Sequence, residues 1–304
     1  MTKEQRLKNM SVPCGCIDVV LDTDAYNEID DQYAIAYLLS CKERLNTKAI
    51  YAAPFFNSGS TSAEDGMEKS YNEILHLLSL LGERVDVFKG SREFLADEKT
   101  PVISPAAEDL ARRAKDYSPE NPLYVIAIGA ITNVASAMLL NPAVKENCVV
   151  VWLGGHAKHY AHTREFNMFQ DVAASRVVMS SGVPFVQLPC QGVVSSFRIS
   201  KPELEYWLVG KNDLADYLAR HTIEVAEIYA KYTAWTRCIW DVTAVAWLMN
   251  DNDRFMLSRV EPIRLSDYSN RYEPELEGSE MVYVYDIKRD VLMSDLIRRI
   301  TNRN

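Results

Sequence analysis

Short apolar runs separated by single amphipathic stretches, repeated from residue 17 to residue 188, constrain this chain more than any other feature. Residues 17–21, 47–53, 85–88, 123–128, 149–153 and 185–188 each have the length and apolar character of a buried strand. Between them, residues 31–41, 63–81, 105–116, 133–140 and 172–180 read as helices, and the second of these stops at Gly82, the residue that most readily takes the left-handed cap. Strands joined by single helices imply βα units. The expected fold is therefore α/β, a Rossmann-like, mainly parallel central sheet flanked by helices. Ligands of such sheets bind beyond the carboxyl ends of the strands. Residues 202–250 read as additional C-terminal helices, with a long stretch from about 214 to 234, then a last strand at 282–285 and a last helix at 291–300. No repeat, low-complexity segment or linker interrupts the pattern, so residues 1–304 are expected to form a single domain.

Charge narrows the partners. The formal net charge is -9 and no Lys/Arg-rich run exists, which argues against nucleic acid or an anionic membrane, since both require clustered cations. Small neutral substrates or bound cations fit better. The first twelve residues are polar and no apolar run approaches bilayer length, so a cytoplasmic protein is expected. Six cysteines are scattered at 14, 16, 41, 148, 190 and 238 without a CxxC pair, which suits reduced thiols and disfavours a zinc site.

Candidate chemistry is concentrated in Asp22-Thr23-Asp24-Ala25-Tyr26-Asn27-Glu28-Ile29-Asp30-Asp31, directly after the first strand. Five acidic residues in ten positions repel one another unless a cation sits among them, and a hard divalent ion with oxygen ligands is the natural remedy. An acidic loop that merely complements a helix dipole is the alternative.

The segment resembles the signature of the nucleoside hydrolase family, Asp-x-Asp followed by an Asp-Asp pair that opens a helix with Ala-Ile, here Asp22-Thr23-Asp24, Asp30-Asp31 and Ala34-Ile35. The turn, residues 25–29, is about two residues longer than the family's usual Pro-Gly. Further matches follow in order: Asn57 after the second strand, Ile128-Gly129-Ala130-Ile131-Thr132-Asn133, Trp152-Leu153-Gly154-Gly155, Glu165-Phe166-Asn167 with Asp171, and Trp240-Asp241. The likeness extends from residue 17 to the C-terminus and is least diagnostic over residues 191–232.

This resemblance implies hydrolysis of the N-glycosidic bond of a small-molecule ribonucleoside by a Ca²⁺-activated water. It implies Ca²⁺ held by Asp24, Asp31, Asp241 and the Ile128 carbonyl, Asp24 as general base, and ribose contacts from Asp30, Asn57, Glu165 and Asn167. One branch of the family places a His before the late Asp. Trp240 stands there instead and cannot deliver a proton at neutral pH, so base stacking and a purine preference are expected. A dimer or tetramer is implied by resemblance alone. His156, His159 and His162, three apart, are expected on a mobile loop over the pocket, solvated or touching substrate. Tyr229, Tyr232 and Trp235 are either an aromatic wall above the base or a core stripe. Two rivals remain open: a haloacid dehalogenase-like phosphatase using Asp22 and Asp24, which needs a downstream Lys, and a non-catalytic ribose- or nucleoside-binding protein on the same scaffold.

Overall fold

The computed structural model describes residues 1–302. Its strands are β1 (Ile17–Thr23), β2 (Leu45–Ala52), β3 (Asp86–Lys89), β4 (Leu123–Ala127), β5 (Cys148–Leu153), β6 (Phe185–Leu188), β7 (Arg198–Ser200), β8 (Thr236–Cys238), β9 (Met256–Ser266) and β10 (Tyr272–Ile287). Eight of them form one sheet in the order β3-β2-β1-β4-β5-β6-β10-β9, and β7 and β8 form a separate antiparallel pair. Every pairing in the large sheet is parallel except β9 with β10.

Alternation along the strands explains why helices cover both faces. Val19 and Leu21 of β1, Val149 and Val151 of β5 enter one apolar cluster, together with the helices Asp30–Leu38, Ala63–Leu81, Asp213–Ala230 and Arg289–Thr301. Val20, Val150 and Trp152 enter the other, with helices Pro105–Arg113, Thr132–Leu140 and Val172–Ser180. Successive side chains point to opposite faces, so strands apolar at every position are buried twice over. The chain runs outward from β1 to β3, then returns to lay β4 on the other side of β1. Right-handed crossovers in opposite directions put the two helix sets on opposite faces and open a crevice at the carboxyl ends of β1 and β4.

Local signals hold where they are strongest. Ser62 caps the helix Ala63–Leu81 by accepting from the Asp65 N–H at 3.1 Å, and Gly82 ends it at φ +66°. All six cysteines are free thiols. Among the described residues no helix is long and apolar enough to cross a membrane.

The C-terminal third departs from the sequence expectation. Residues 202–250 are not helical throughout: the long helix stops at Ala230, and β8 and a Trp240-Asp241 turn follow. The last strand is far longer than residues 282–285, because Tyr272–Ile287 pairs along much of its length with β9. Sequence reading missed β9 because it is an edge strand carrying Pro262 and alternating charges, and only its neighbour's pairing selects the extended state.

Candidate active site

The crevice at β1 and β4 receives the acidic segment. Asp22 and Thr23 are the last residues of β1, and their carbonyls accept from the N–H groups of Ile128 and Ala53, both at 2.8 Å, which fixes the loop that leaves the sheet. An Asn27 N–H to Asp24 carbonyl bond of 2.7 Å closes the turn, and the helix Asp30–Leu38 begins with both its carboxylates buried. Exposed dipole-complementing acids would not be buried to within 3% of full occlusion, as Asp30 and Asp31 are.

Asp241 arrives from the far end of the chain. The Ile239 N–H donates to the Phe197 carbonyl at 2.9 Å, anchoring the segment after β8, and Asp241 precedes the helix Val242–Trp247 without making a side-chain cap bond. One carboxylate oxygen from each of Asp30, Asp31 and Asp241 lies within 4.8 Å of the others. Asp24 lines the same cavity and feels the charges of Asp31 and Asp30, though it stands outside that tight trio. Thr23 donates its hydroxyl to Asp31. The Oδ2 atoms of Asp22 and Asp24 are buried without a hydrogen-bond partner.

Burial, then mutual repulsion, pushes the Asp24, Asp30 and Asp241 carboxyls well above the usual carboxylate range. Burial lifts Asp31 and Asp22 to about 7, although Thr23 and Asn133 respectively donate to them and pull the other way. Carboxylates this crowded are stable as anions only if a cation shares their charge, and the donor set of carboxylates and carbonyls is that of a hard divalent metal. The site can therefore hold a metal ion.

The opposite wall comes from β5 and the segment after it. Gly155 takes φ +78°, a conformation that needs glycine, and its N–H donates to Glu165 Oε2 at 2.8 Å. Glu165 also accepts from the Asn167 and Met168 N–H groups, at 2.9 and 3.0 Å, and so ties the Gly-Gly bend to the helix Phe166–Gln170. Asn167 Nδ2 donates to the carbonyls of Ile128 and Leu153, each at 3.0 Å, bridging the ends of β4 and β5. The resulting cavity has a volume of about 170 Å³ and is lined by six carboxylates, Asp24, Glu28, Asp30, Asp31, Glu165 and Asp241, together with Ile128, Asn167 and Trp240.

The pattern of the family described as inosine-uridine preferring nucleoside hydrolase matches residues 19–285. The chain belongs to the nucleoside hydrolase family. Among relatives of this chain, the pyrimidine-specific ribonucleoside hydrolase RihB of Escherichia coli (strain SE11) is 25% identical over 193 residues, 56% of this chain and 58% of that protein. A putative RihB of Shigella boydii is 28% identical over 114 residues, 32% of this chain and 47% of its own length. The matched segments thus span about half the length of these relatives. Solved structures agree on the fold: a plant nucleoside hydrolase, the PpNRh1 enzyme, has a TM-score of 0.75 at 18% identity, covering 94% of this chain and 99% of its own. A purine-preferring ribonucleoside hydrolase from Gardnerella vaginalis has a TM-score of 0.73 at 20% identity, covering 93% and 98%.

Of the nine residues singled out in the sequence as site residues, eight line this cavity: Asp24, Asp30, Asp31, Ile128, Glu165, Asn167, Trp240 and Asp241. Asn57 does not. Its Nδ2 donates to Asn27 Oδ1 at 2.6 Å and its Oδ1 accepts from the Gly59 N–H at 2.7 Å, so Asn27 meets the cavity in its place. The longer turn is what carries Asn27 and Glu28 there, a consequence invisible before the turn is folded. Asp171 is structural, accepting from Thr132, Leu95 and Ala174. Sequence reasoning also missed Arg164, Cys190 and Gln191 as lining residues; only the fact that β6 neighbours β5 brings the last two in.

The segment bearing the three histidines is anchored at both ends, by Ala157 N–H to Gln191 carbonyl and Thr163 N–H to Asn270 carbonyl bonds, both 2.9 Å, and by the Tyr272 hydroxyl on the His156 carbonyl, with His159 and His162 exposed between them. His156 lines the cavity, and its neighbours His159 and His162 do not. Tyr229 and Tyr232 form neither wall nor core stripe: they are 82% and 92% exposed at the end of the helix Asp213–Ala230, while Trp235 packs on the core. The helical register that aligned them ends before Tyr232.

Proposed function

We propose that this chain hydrolyses the N-glycosidic bond of ribonucleosides, with Ca²⁺ held by Asp24, Asp31, Asp241 and the Ile128 carbonyl. The observation that carries the reading is the convergence of Asp30, Asp31 and Asp241 within 4.8 Å, from opposite ends of the chain, beside Asp24 at the topological switch of the sheet. The unpartnered Oδ2 of Asp24 fits a cation ligand. When bound, such an ion lowers the pKa of a water and supplies a nucleophile at neutral pH.

The chain's own residues do the rest. Asp24 accepts the proton of the attacking water. Asp30 accepts a hydrogen bond from a ribose hydroxyl. Asn167 spends its amide N–H groups on two strand ends, which leaves Oδ1 to take a hydroxyl proton. Glu165 holds the Gly155 bend and the helix start through three main-chain bonds, and Asn57 acts on the sugar through Asn27. A ribose whose hydroxyls are all paired discriminates against deoxyribose, since an unmatched buried polar group is costly. Trp240 offers a ring to the departing base and favours purines.

The phosphatase alternative needs a downstream Lys beside Asp22 and Asp24, and among the described residues no lysine lines the cavity, which favours the hydrolase reading. The deciding experiment measures reducing-sugar release from inosine, adenosine, uridine and nicotinamide riboside, with Ca²⁺ and with a chelator. Release that the chelator abolishes is expected. Tight nucleoside binding without hydrolysis in Ca²⁺ would instead establish a sugar-binding protein, and faster cleavage of uridine would remove the purine preference. A dimer or tetramer is the assembly we infer from family resemblance.

A further inference from the structure

We propose that the sugar taken by this site carries a phosphate on its 5′ carbon, so that the substrate is a nucleoside 5′-monophosphate gripped by Arg164 and His156. The inference rests on the hydrolase reading above and names its substrate class.

Arg164 lines the cavity yet, among the described residues, its guanidinium has no carboxylate partner; it lies over the Phe169 ring with 4.7 Å to the centroid. Arg237, by contrast, is paired at 3.0 Å with Glu28, itself a lining residue. Stacking on a ring orients the planar fork while leaving its N–H edge free for an oxyanion. Arg164 is exposed where it lines the cavity, so its guanidinium is accessible to an anionic group on a bound ligand. His156 gives an independent sign. It is only 8% exposed, lines the same cavity, and its Nδ1 has no hydrogen-bond partner. A buried ring nitrogen left unmet costs stability unless a ligand meets it.

Position then selects the 5′ group. The acids come from the end of β1 and from Asp241, whereas His156 and Arg164 follow β5, two strands away, a separation of roughly 10 Å at the usual interstrand spacing. With the vicinal hydroxyls toward Asp30 and the base toward Trp240, the 5′ carbon is the remaining ring substituent, and it heads for the β5 wall. A neutral 5′-hydroxyl calls for one hydrogen bond; a phosphate matches a guanidinium and an imidazole together. Glu165, the acid adjoining Arg164, does not oppose an incoming anion strongly, because three main-chain N–H groups already compensate it. Burial keeps the His156 imidazole neutral, a ring that meets the phosphate by a hydrogen bond while Arg164 supplies the charge, and the main-chain bonds of Ala157 and Thr163 fix the backbone beside both residues before the ligand arrives.

In the reaction the water oxygen bonds to C1′, the C1′–N bond breaks with its electron pair passing to the base nitrogen, and one water proton ends on the base. The phosphoester is untouched, and the products are ribose 5-phosphate and the free base.

The test compares kcat/KM for inosine with inosine 5′-monophosphate, and uridine with its 5′-monophosphate, in the wild type and in Arg164→Gln. Titration calorimetry of ribose 5-phosphate, ribose and inorganic phosphate accompanies it. A hydrogen-bonded charge contact supports a preference of about tenfold to a hundredfold for the monophosphate, and the same factor should vanish from the ratio in Arg164→Gln. Preference for the unphosphorylated nucleoside, or a ratio that Arg164→Gln leaves unmoved, overturns the proposal. If neither substrate is cleaved, the hydrolase reading fails and calorimetry decides this one. Ribose 5-phosphate binding tighter than both ribose and phosphate, by a margin that Arg164→Gln erases, upholds the anion grip. Equal binding of ribose 5-phosphate and ribose, or of ribose 5-phosphate and phosphate, overturns it.

Discussion

Replacing Asp31 with Asn reverses its effect on stability according to whether a metal is present. Asp31 is buried, and burial raises its carboxyl from 3.8 to about 7. Between those values the folded, metal-free chain keeps a proton that the unfolded chain has released, so stability declines as pH rises through that window and is lowest above 7. A rise of this size corresponds to about 4 kcal/mol at pH 8, of which Asn recovers only part, because the Thr23 hydrogen bond is weakened and Asp30 and Asp241 remain crowded. Asp31→Asn should therefore stabilise the chelated protein by roughly 1–4 kcal/mol at pH 8 and by almost nothing below pH 4. With Ca²⁺ added, the wild type should gain stability while the variant gains little. Urea unfolding at pH 4, 6 and 8, with chelator and with Ca²⁺, reads both quantities. Should Asp31→Asn destabilise the chelated protein at pH 8 and still be rescued fully by Ca²⁺, neither the charge crowding nor the metal assignment stands.

Two further substitutions probe the cavity and its support. Trp240→Ala should lower kcat/KM for inosine by several-fold more than for uridine, since stacking on an aromatic ring is worth about 0.5–1.5 kcal/mol and scales with the size of the base; equal losses on both would assign the ring to packing alone. Gly66→Ala would place a methyl 2.0 Å from the Phe55 carbonyl oxygen, a main-chain atom that cannot swing away. Overpacking of this kind costs about 1–3 kcal/mol and should appear as a lowered thermal midpoint; an unchanged midpoint would show that the β2-to-helix loop yields freely.

The amino-acid sequence by itself determined the layered α/β class, because strands buried on both faces must be apolar at every position and helices on one face only, and those two periods are visible without a fold. It also located Asp22 to Asp31, since so many acids at a strand end have few physical resolutions, and family motifs in order tied them to Ile128, Glu165, Asn167 and Asp241. Contacts that depend on which strands become neighbours could not be read this way. The order β1-β4-β5-β6 alone brings Cys190 and Gln191 to the cavity, the longer turn swings Asn27 in front of Asn57, and pairing with β10 turns the charged segment Met256–Ser266 into a strand. Local chemistry sets what a residue can do, but distance along the chain carries no information about distance in space, so only the tertiary structure decided that Arg164 and His156 would line the same cavity as the carboxylates following β1 and that of Asp241.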